Sequence, residues 1–464
     1  MKKGLFQVLI ANIISLVISL IMNFFVPKYL SIHSYAMYKT YALYIIYAGF
    51  FHLGYADGMY LKYGGKDINK IDKKELADNY KNYIYLILLM AAIVFSVGLF
   101  IHDNIIIAFS FGLISANILG YLKNLYQATG EFGAYSKATN FERIGVLVFT
   151  LFFLLIIRTD NYVIYIAIQV AVGLTVALYL SLRLEHRLHF FKLGRFSKKE
   201  YKENIPAGLI LMLGNFSSNV FTGLDRWFIK FLMTTTPFAL YSFASGLLNL
   251  LNVFITPITV SLYNFFCKGI DDKHIRKLKR LVLAWGLLLI AAGYPVKFIL
   301  IHYLDKYIDA NRVIYILFSA QVFIAIIQGV YVNLYKARKQ QNKYFIQMLV
   351  MLVVGFVTNA GFYAVYHSMD AFAWATLFTY FVWFLVCEIQ NPELRYGVKE
   401  YIVMVVLMAV AIITGYAMPP VAGLLVYLVL YVVLVAVLMP DVMQFAVENI
   451  SEVPEKLRKR HQRR

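Results

Sequence analysis

Long apolar runs alternate with short polar interruptions from one end of the chain to the other. The runs lie near residues 7–27, 38–57, 83–101, 104–122, 144–157, 161–182, 206–229, 238–262, 281–301, 313–335, 344–366, 371–387, 401–418 and 421–439. Most approach the ~20 residues that an α-helix needs to cross the hydrocarbon core of a bilayer. They lack the strict polar and apolar alternation over about ten residues that marks an outer-membrane strand. The pattern therefore predicts an all-α polytopic membrane protein with about 14 transmembrane helices. Lys2 and Lys3 precede the first run as they would in a signal peptide, but that run is long and no small-residue cleavage site follows, so it is read as a span.

Composition agrees, with 61% hydrophobic and 15% charged residues in 464. So many spans leave no room for a soluble catalytic domain, and the outer connections are too short for a membrane polymerase or glycosyltransferase. Of the 44 Lys and Arg residues, 36 fall on the side that holds the N-terminus and 8 on the other. Cytoplasmic loops are enriched in Lys and Arg, so both termini are expected inside. The clusters at 62–81, 183–202, 268–280 and 456–464 then serve topology and anionic headgroups rather than nucleic acid, despite a net charge of +19. Cys267 and Cys387 offer no disulfide framework. There is no phosphate-binding Gly-rich loop, zinc-ligand spacing or nucleophile elbow, so no enzyme activity, cofactor or metal is expected.

A weak internal repeat organises the spans. Residues 124–135, NLYQATGEFGAY, align with 333–344, NLYKARKQQNKY, each leading from a fourth span into a fifth. Asn12, Ser15, Ser19 and Asn23 in the first span likewise correspond to Asn215, Ser218, Thr222 and Arg226 in the seventh. This divides the chain into six-helix lobes at 1–190 and 200–390, two additional spans at 398–440 and a basic tail at 441–464. Spacings of three and four place each polar set on one helical face. A third stripe, Ser242, Ser245, Asn249, Asn252, Thr256 and Thr259, follows in the next span. Such faces should not meet acyl chains, because an unpaired polar group costs on the order of kcal/mol there. They either bond helices together or line a hydrated cavity, and the matched pair of stripes favours the cavity.

Ionisable residues inside spans are functional candidates by default. Asp225 and Arg226 lie in GLDRWFIKF, toward the outer half of their helix by the usual rise per residue. Lys39 opens the second span and Asp57 closes it, while Lys123, Arg143 and Lys336 lie beside the repeat motif. Together these cations would rim a positive chamber.

GYADGMYLKYG after the second span, LDRWFI in the seventh followed by ALYSFA, and the paired NLYxA elements resemble the polysaccharide flippases, Wzx-like members of the multidrug/oligosaccharidyl-lipid/polysaccharide exporter superfamily. The resemblance covers about residues 1–390. It implies translocation of a polyprenyl-diphosphate-linked oligosaccharide, from the inner to the outer leaflet of a bacterial cytoplasmic membrane, for O-antigen, lipopolysaccharide, capsule or similar glycans. Polymerase and glycosyltransferases of the pathway would be its partners. Under that reading the substrate-binding candidates are Asn12, Ser15, Ser19, Asn23, Lys39, Asn215, Ser218, Thr222, Asp225, Arg226, Asn249 and Asn252, with Asp57 and Asp225 as ion-coupling candidates. The alternative is an ion-coupled multidrug or small-metabolite antiporter of the same architecture; the cationic bias weighs against it.

Overall fold

The computed structural model describes residues 2–444 apart from Ile270, and the side chains within that range apart from those of residues 2–12 and Asn264. The expected tail from residue 445 onward lies outside the described residues. Among the described residues there is no strand. Twelve helices among the described residues are long and apolar enough to cross a membrane, and Ile13–Tyr29 adds a shorter apolar one. The chain forms two compact units, Met1–Ala239 and Leu240–Arg464.

The first unit holds α1 (Lys2–Tyr29), α2 (Ile32–Ile45), α3 (Tyr55–Tyr63), α4 (Lys73–Phe100), α5 (Asn104–Ala128), α6 (Phe132–Phe152), α7 (Tyr162–Leu188) and α8 (Lys198–Leu232). Short polar residues at the borders of the apolar runs start several of them. Asp103 accepts hydrogen bonds from the amides of Ile105 and Ile106 at 2.8 and 3.2 Å, and Asn161 accepts one from Val163 at 3.0 Å. These caps satisfy amides that the first helical turn leaves unpaired.

The run at 38–57, expected as one continuous span, is interrupted. After α2 the chain makes a 3-10 turn at Ala48–His52, and Leu53 and Gly54 then take the left-handed conformation with φ of 53° and 84° before α3 begins. Hydropathy is blind to this break because the residues on both sides remain apolar. Irregular backbone at membrane depth is tolerated only where protein or water satisfies it. Here α3 packs against α8 with glycine on both sides. A Cβ at Gly58 would lie 2.0 Å from the carbonyl oxygen of Asn204, and one at Gly208 would lie 2.0 Å from that of Gly54. Gly54 and Gly58 thus form the small-xxx-small spacing that lets membrane helices approach closely.

A charged network on α3, α4 and α8 lies beyond this crossing. Lys62 reaches Glu75, Glu200 and Glu203 at 3.0, 3.1 and 3.0 Å. The buried Glu200 also accepts from Asn79 at 2.7 Å and Asn204 at 3.1 Å. Burial alone would lower the pKa of Lys62, but its hydrogen bonds to the three carboxylates outweigh that and hold it above the ordinary lysine value.

Most of α9 (Thr235–Phe266) lies in the second unit, followed by α10 (Asp272–Ile290), α11 (Gly293–His302), α12 (Asn311–Ile326), α13 (Val332–Ala337), α14 (Gln341–Tyr366), α15 (Met369–Gln390), α16 (Val398–Ala417) and α17 (Pro420–Leu438). A π-helical turn, Ile327–Tyr331, joins α12 to α13. Nearly every side chain of α12 is buried, so it forms the centre of this unit. The last two helices dock through polar anchors. Lys297 donates to the carbonyls of Gly415 and Met418, each at 2.7 Å, which caps the end of α16. Tyr427 and Tyr431 donate to the carbonyls of Leu287 and Ala284 at 2.6 and 2.9 Å. The fully buried Lys279 pairs with Glu388, and Arg280 pairs with Glu400.

Candidate functional site

The strongest candidate lies in the first unit, where α8 meets the end of α2. Gly223 presents so little bulk that a Cβ there would come within 2.8 Å of the Tyr47 hydroxyl. That close approach lets Tyr47 accept a hydrogen bond from Nε1 of Trp227 at 2.8 Å and donate to the carbonyl of Asn219 at 3.3 Å. Tyr44 stacks on Trp227 with ring centroids 5.4 Å apart and planes 14° from parallel. The clamp fixes the azimuth of α8 about its axis, and with it the next residue, Arg226.

Arg226 is half-buried. Its Nη2 donates to the carbonyl of Thr222 at 3.1 Å, its backbone amide donates to Asp225 at 2.7 Å, and its Nε lies 4.0 Å from the same carboxylate oxygen. That Nε has no hydrogen-bond partner among the described residues. Asp225 is 9% exposed. Lys39, half-buried on α2, lies with its ammonium 5.2 Å from the centre of the Tyr35 ring. No described carboxylate reaches ion-pair distance of Lys39. It stands near enough to Arg226 for the two charges to repel. Arg143 on α6 acts electrostatically on the neighbouring Tyr38 hydroxyl, which accepts from Gln169 at 2.6 Å. Lys39, Arg143 and Arg226 thus bring three cations toward α2.

The remaining expected residues are placed as follows. Asn12 lies in α1, with its side chain outside the described set. Ser15, Ser19 and Asn23 are half-buried, and Asn23 donates to the carbonyl of Ser19 at 2.8 Å while its buried side-chain oxygen has no hydrogen-bond partner among the described residues. Asn215 and Thr222 are exposed and Ser218 half-buried, on the α8 face that ends at Arg226. In the second unit Asn249 is exposed, whereas Asn252 accepts from Gln321 on α12 at 2.7 Å. Part of the third stripe thus joins helices, the other of the two uses weighed for it. Asp57 lies in the first turn of α3, where a carboxylate suits the helix dipole, 3.9 Å from Nε2 of His52.

Tyr44, Tyr47, Asn219 and Trp227 were not among the expected site residues. One signal for them was in the sequence, since tyrosines recur every third residue at 35, 38, 41, 44 and 47. Their partners on α8 are about 180 residues away along the chain and leave no local trace.

No family model matches the sequence, and no curated protein matches it. Among solved structures, the lipid II flippase MurJ in an inward closed conformation matches at TM-score 0.68 and 12% identity, over 96% of this chain and 100% of that one. The two structures share a fold. An inward-facing multidrug resistance MATE family transporter of the MOP superfamily matches at TM-score 0.52 and 13% identity, over 83% of this chain and 94% of that one. A mutant of the Vibrio cholerae MATE transporter VcmN matches at 0.51 and 11%, over 84% and 96%. At these identities the likeness is one of fold, shared here with a flippase and with transporters.

Proposed function

We propose that this multi-pass membrane protein is a flippase. It moves a polyprenyl-diphosphate-linked oligosaccharide from the inner to the outer leaflet of a bacterial cytoplasmic membrane by alternating access, with both termini in the cytoplasm. The repeat supports reading residues 1–190 and 200–390 as duplicated halves, although α8 packs within the first compact unit, and polymerase and glycosyltransferases of the pathway are the expected partners.

The observation that carries the reading is the pairing of Lys39 with Arg226. Two half-buried cations near enough to repel each carry a cost of burial that the other increases. An anion between or beside them removes both penalties. A diphosphate supplies that charge, and a sugar chain suits the polar face of Asn215, Ser218 and Thr222. Ser15, Ser19 and Asn23 are further candidates for contact with the sugar chain in the first unit, and Asn12, Asn249 and Asn252 are candidates on the sequence pattern alone. The membrane potential, negative inside, favours outward passage of an anion by about 2.3 kcal/mol per charge per 100 mV. Asp57 and Asp225 are the candidates for proton exchange.

The test is transport of a labelled lipid-linked oligosaccharide by reconstituted protein, with and without an imposed potential. Wild-type protein should flip the lipid faster with the interior of the donor side negative, and Arg226→Ala and Arg226→Glu should slow it at least tenfold. Wild-type rates in both variants reject the diphosphate site. The second reading, a multidrug or small-metabolite antiporter, draws on Asp57 and Asp225, carboxylates that a cationic solute would need. It predicts proton-coupled dye efflux that Asp225→Asn abolishes.

A further inference from the structure

The break between α2 and α3 is anchored at both ends. Before it, Nδ2 of Asn117 on α5 donates to the carbonyl of Ala48 at 3.0 Å. After it, Gly54 is wedged against α8, where a Cβ would lie 2.7 Å from the amide nitrogen of Leu209. His52 and Leu53 join the two anchors, and Leu53 has φ of 53°, a conformation that strains a leucine. The imidazole of His52 closes the turn from within. Its Nδ1 accepts a hydrogen bond from the amide of Gly54 at 3.1 Å. A ring nitrogen accepts only while it carries no proton, so this bond selects the neutral tautomer with its proton on Nε2.

Nε2 lies 3.9 Å from the Asp57 carboxylate, too far for a hydrogen bond and near enough for an ion pair once the ring is charged. The two side chains keep 11% and 16% of their surface exposed, so neither is sealed in. Few other titratable groups face them. The Tyr83 ring on α4 lies 6.4 Å from that of His52, and its hydroxyl, on which Asp57 acts electrostatically, donates to the Asn117 carbonyl at 3.1 Å. From α8 the backbone of Gly208 and Leu209 packs against the start of α3. Tyr47, ahead of the turn, is bound to Asn219 and Trp227, and Lys62 on α3 is bound to Glu75, Glu200 and Glu203.

We propose that His52 is a proton-binding site that opens and closes this turn. A proton from water bonds to the Nδ1 lone pair. The Gly54 amide then faces a second donor, so its hydrogen bond is lost, and the imidazolium pairs with Asp57 through Nε2. Release of the proton to water restores the neutral ring and the closed turn. The inference rests on the reading of Asp57 as a participant in proton exchange, but it places the proton on His52 and does not depend on the solute carried.

Hydrogen exchange at residues 53–58 would be followed in full-length protein in nanodiscs from about pH 8 to about pH 4, each rate divided by the intrinsic chemical rate at that pH. Wild-type protection should fall about two- to tenfold on acidification, the effect of one lost hydrogen bond. His52→Asn keeps an acceptor where Nδ1 stood and does not titrate, so its protection should hold the alkaline level throughout. His52→Ala should show the low level at every pH. Asp57→Asn removes the partner of the imidazolium and should lower the midpoint by about one pH unit. Should the His52 variants fail to fold, nitrogen NMR of labelled histidine in wild type and Asp57→Asn decides. One ring must carry its proton on Nε2 in alkali and gain a second on acidification, at a midpoint that Asp57→Asn lowers. Wild-type protection that is constant across the range overturns the proposal. So does a pH dependence that survives in His52→Asn, which would put the proton on the carboxylate. A pH-dependent turn in a protein whose transport ignores a proton gradient supports the site at His52 and removes only the part given to Asp57 in transport.

Discussion

Gly58 gives the sharpest test of the first unit. Any residue other than glycine puts a Cβ 2.0 Å from the Asn204 carbonyl oxygen, 2.7 Å from its carbon and 2.8 Å from its Cα. All three are backbone atoms of α8, so no side-chain rotation relieves the clash. In the alanine variant α3 must retreat from α8 by more than an ångström. Overpacking of this kind costs about 1–3 kcal/mol. The retreat also lengthens the bonds of Lys62 to Glu200 and Glu203, now 3.0 to 3.2 Å. Breaking a buried ion pair costs about 3–5 kcal/mol, so partial loss brings the total for Gly58→Ala to roughly 2–5 kcal/mol. Gly214→Ala in α8 is the matched control. A Cβ there meets nothing within 4 Å, and the exchange should stabilise the helix by about 0.5–1 kcal/mol. Thermal unfolding in detergent, followed by fluorescence-detected size exclusion, reads both variants. A melting temperature for Gly58→Ala equal to or above that of wild type would refute the close crossing.

Lys62→Met should destabilise the first unit by about 3–5 kcal/mol, because it leaves Glu200 buried at 3% exposure without its cation. Adding Glu200→Gln should recover part of the loss, read as a melting temperature between those of the single variant and wild type. Lys62 has a folded-state pKa above its unfolded value, so its contribution is fully present below about pH 10.4 and is lost as pH rises through the higher folded value. The melting difference between wild type and Lys62→Met should therefore be flat from pH 7 to 9 and shrink only in stronger alkali. Lys297→Met should free the end of α16, detected as faster hydrogen exchange at residues 414–423 with little change in α4 or α5.

The all-helical, many-span architecture was legible because it is written in neighbouring residues, although about 14 spans were expected and 12 long apolar helices with one shorter are found among the described residues. The break at Leu53 and Gly54 was not, since the cause of the left-handed turn is the glycine-lined surface of α8, some 150 residues downstream. Lys279 and Glu388 also look like ordinary loop charges in the sequence, and only the fold brings them together. The case of α8 is different again. The repeat groups it with 200–390, whereas its contacts with α3 place it in the compact unit ending at Ala239. Repeat and contact report different things, the first a pattern duplicated along the chain and the second how the helices pack.

The same distinction separates the cations that build the protein from those available to a ligand. Lys62, Lys279 and Arg280 each meet a buried carboxylate on another helix, so replacing them should appear first as lost stability. Lys39 meets a ring and a like charge, and the Nε of Arg226 lies 4.0 Å from the carboxylate of its own neighbour in sequence. Neutralising Lys39 removes a repulsion and breaks no ion pair found among the described residues. Lys39→Gln should therefore keep or raise the melting temperature while lowering the affinity for a polyprenyl diphosphate, a separation that a purely structural lysine cannot produce. Loss of stability without loss of binding in that variant would place Lys39 among the builders and leave Arg226 to hold an anion alone.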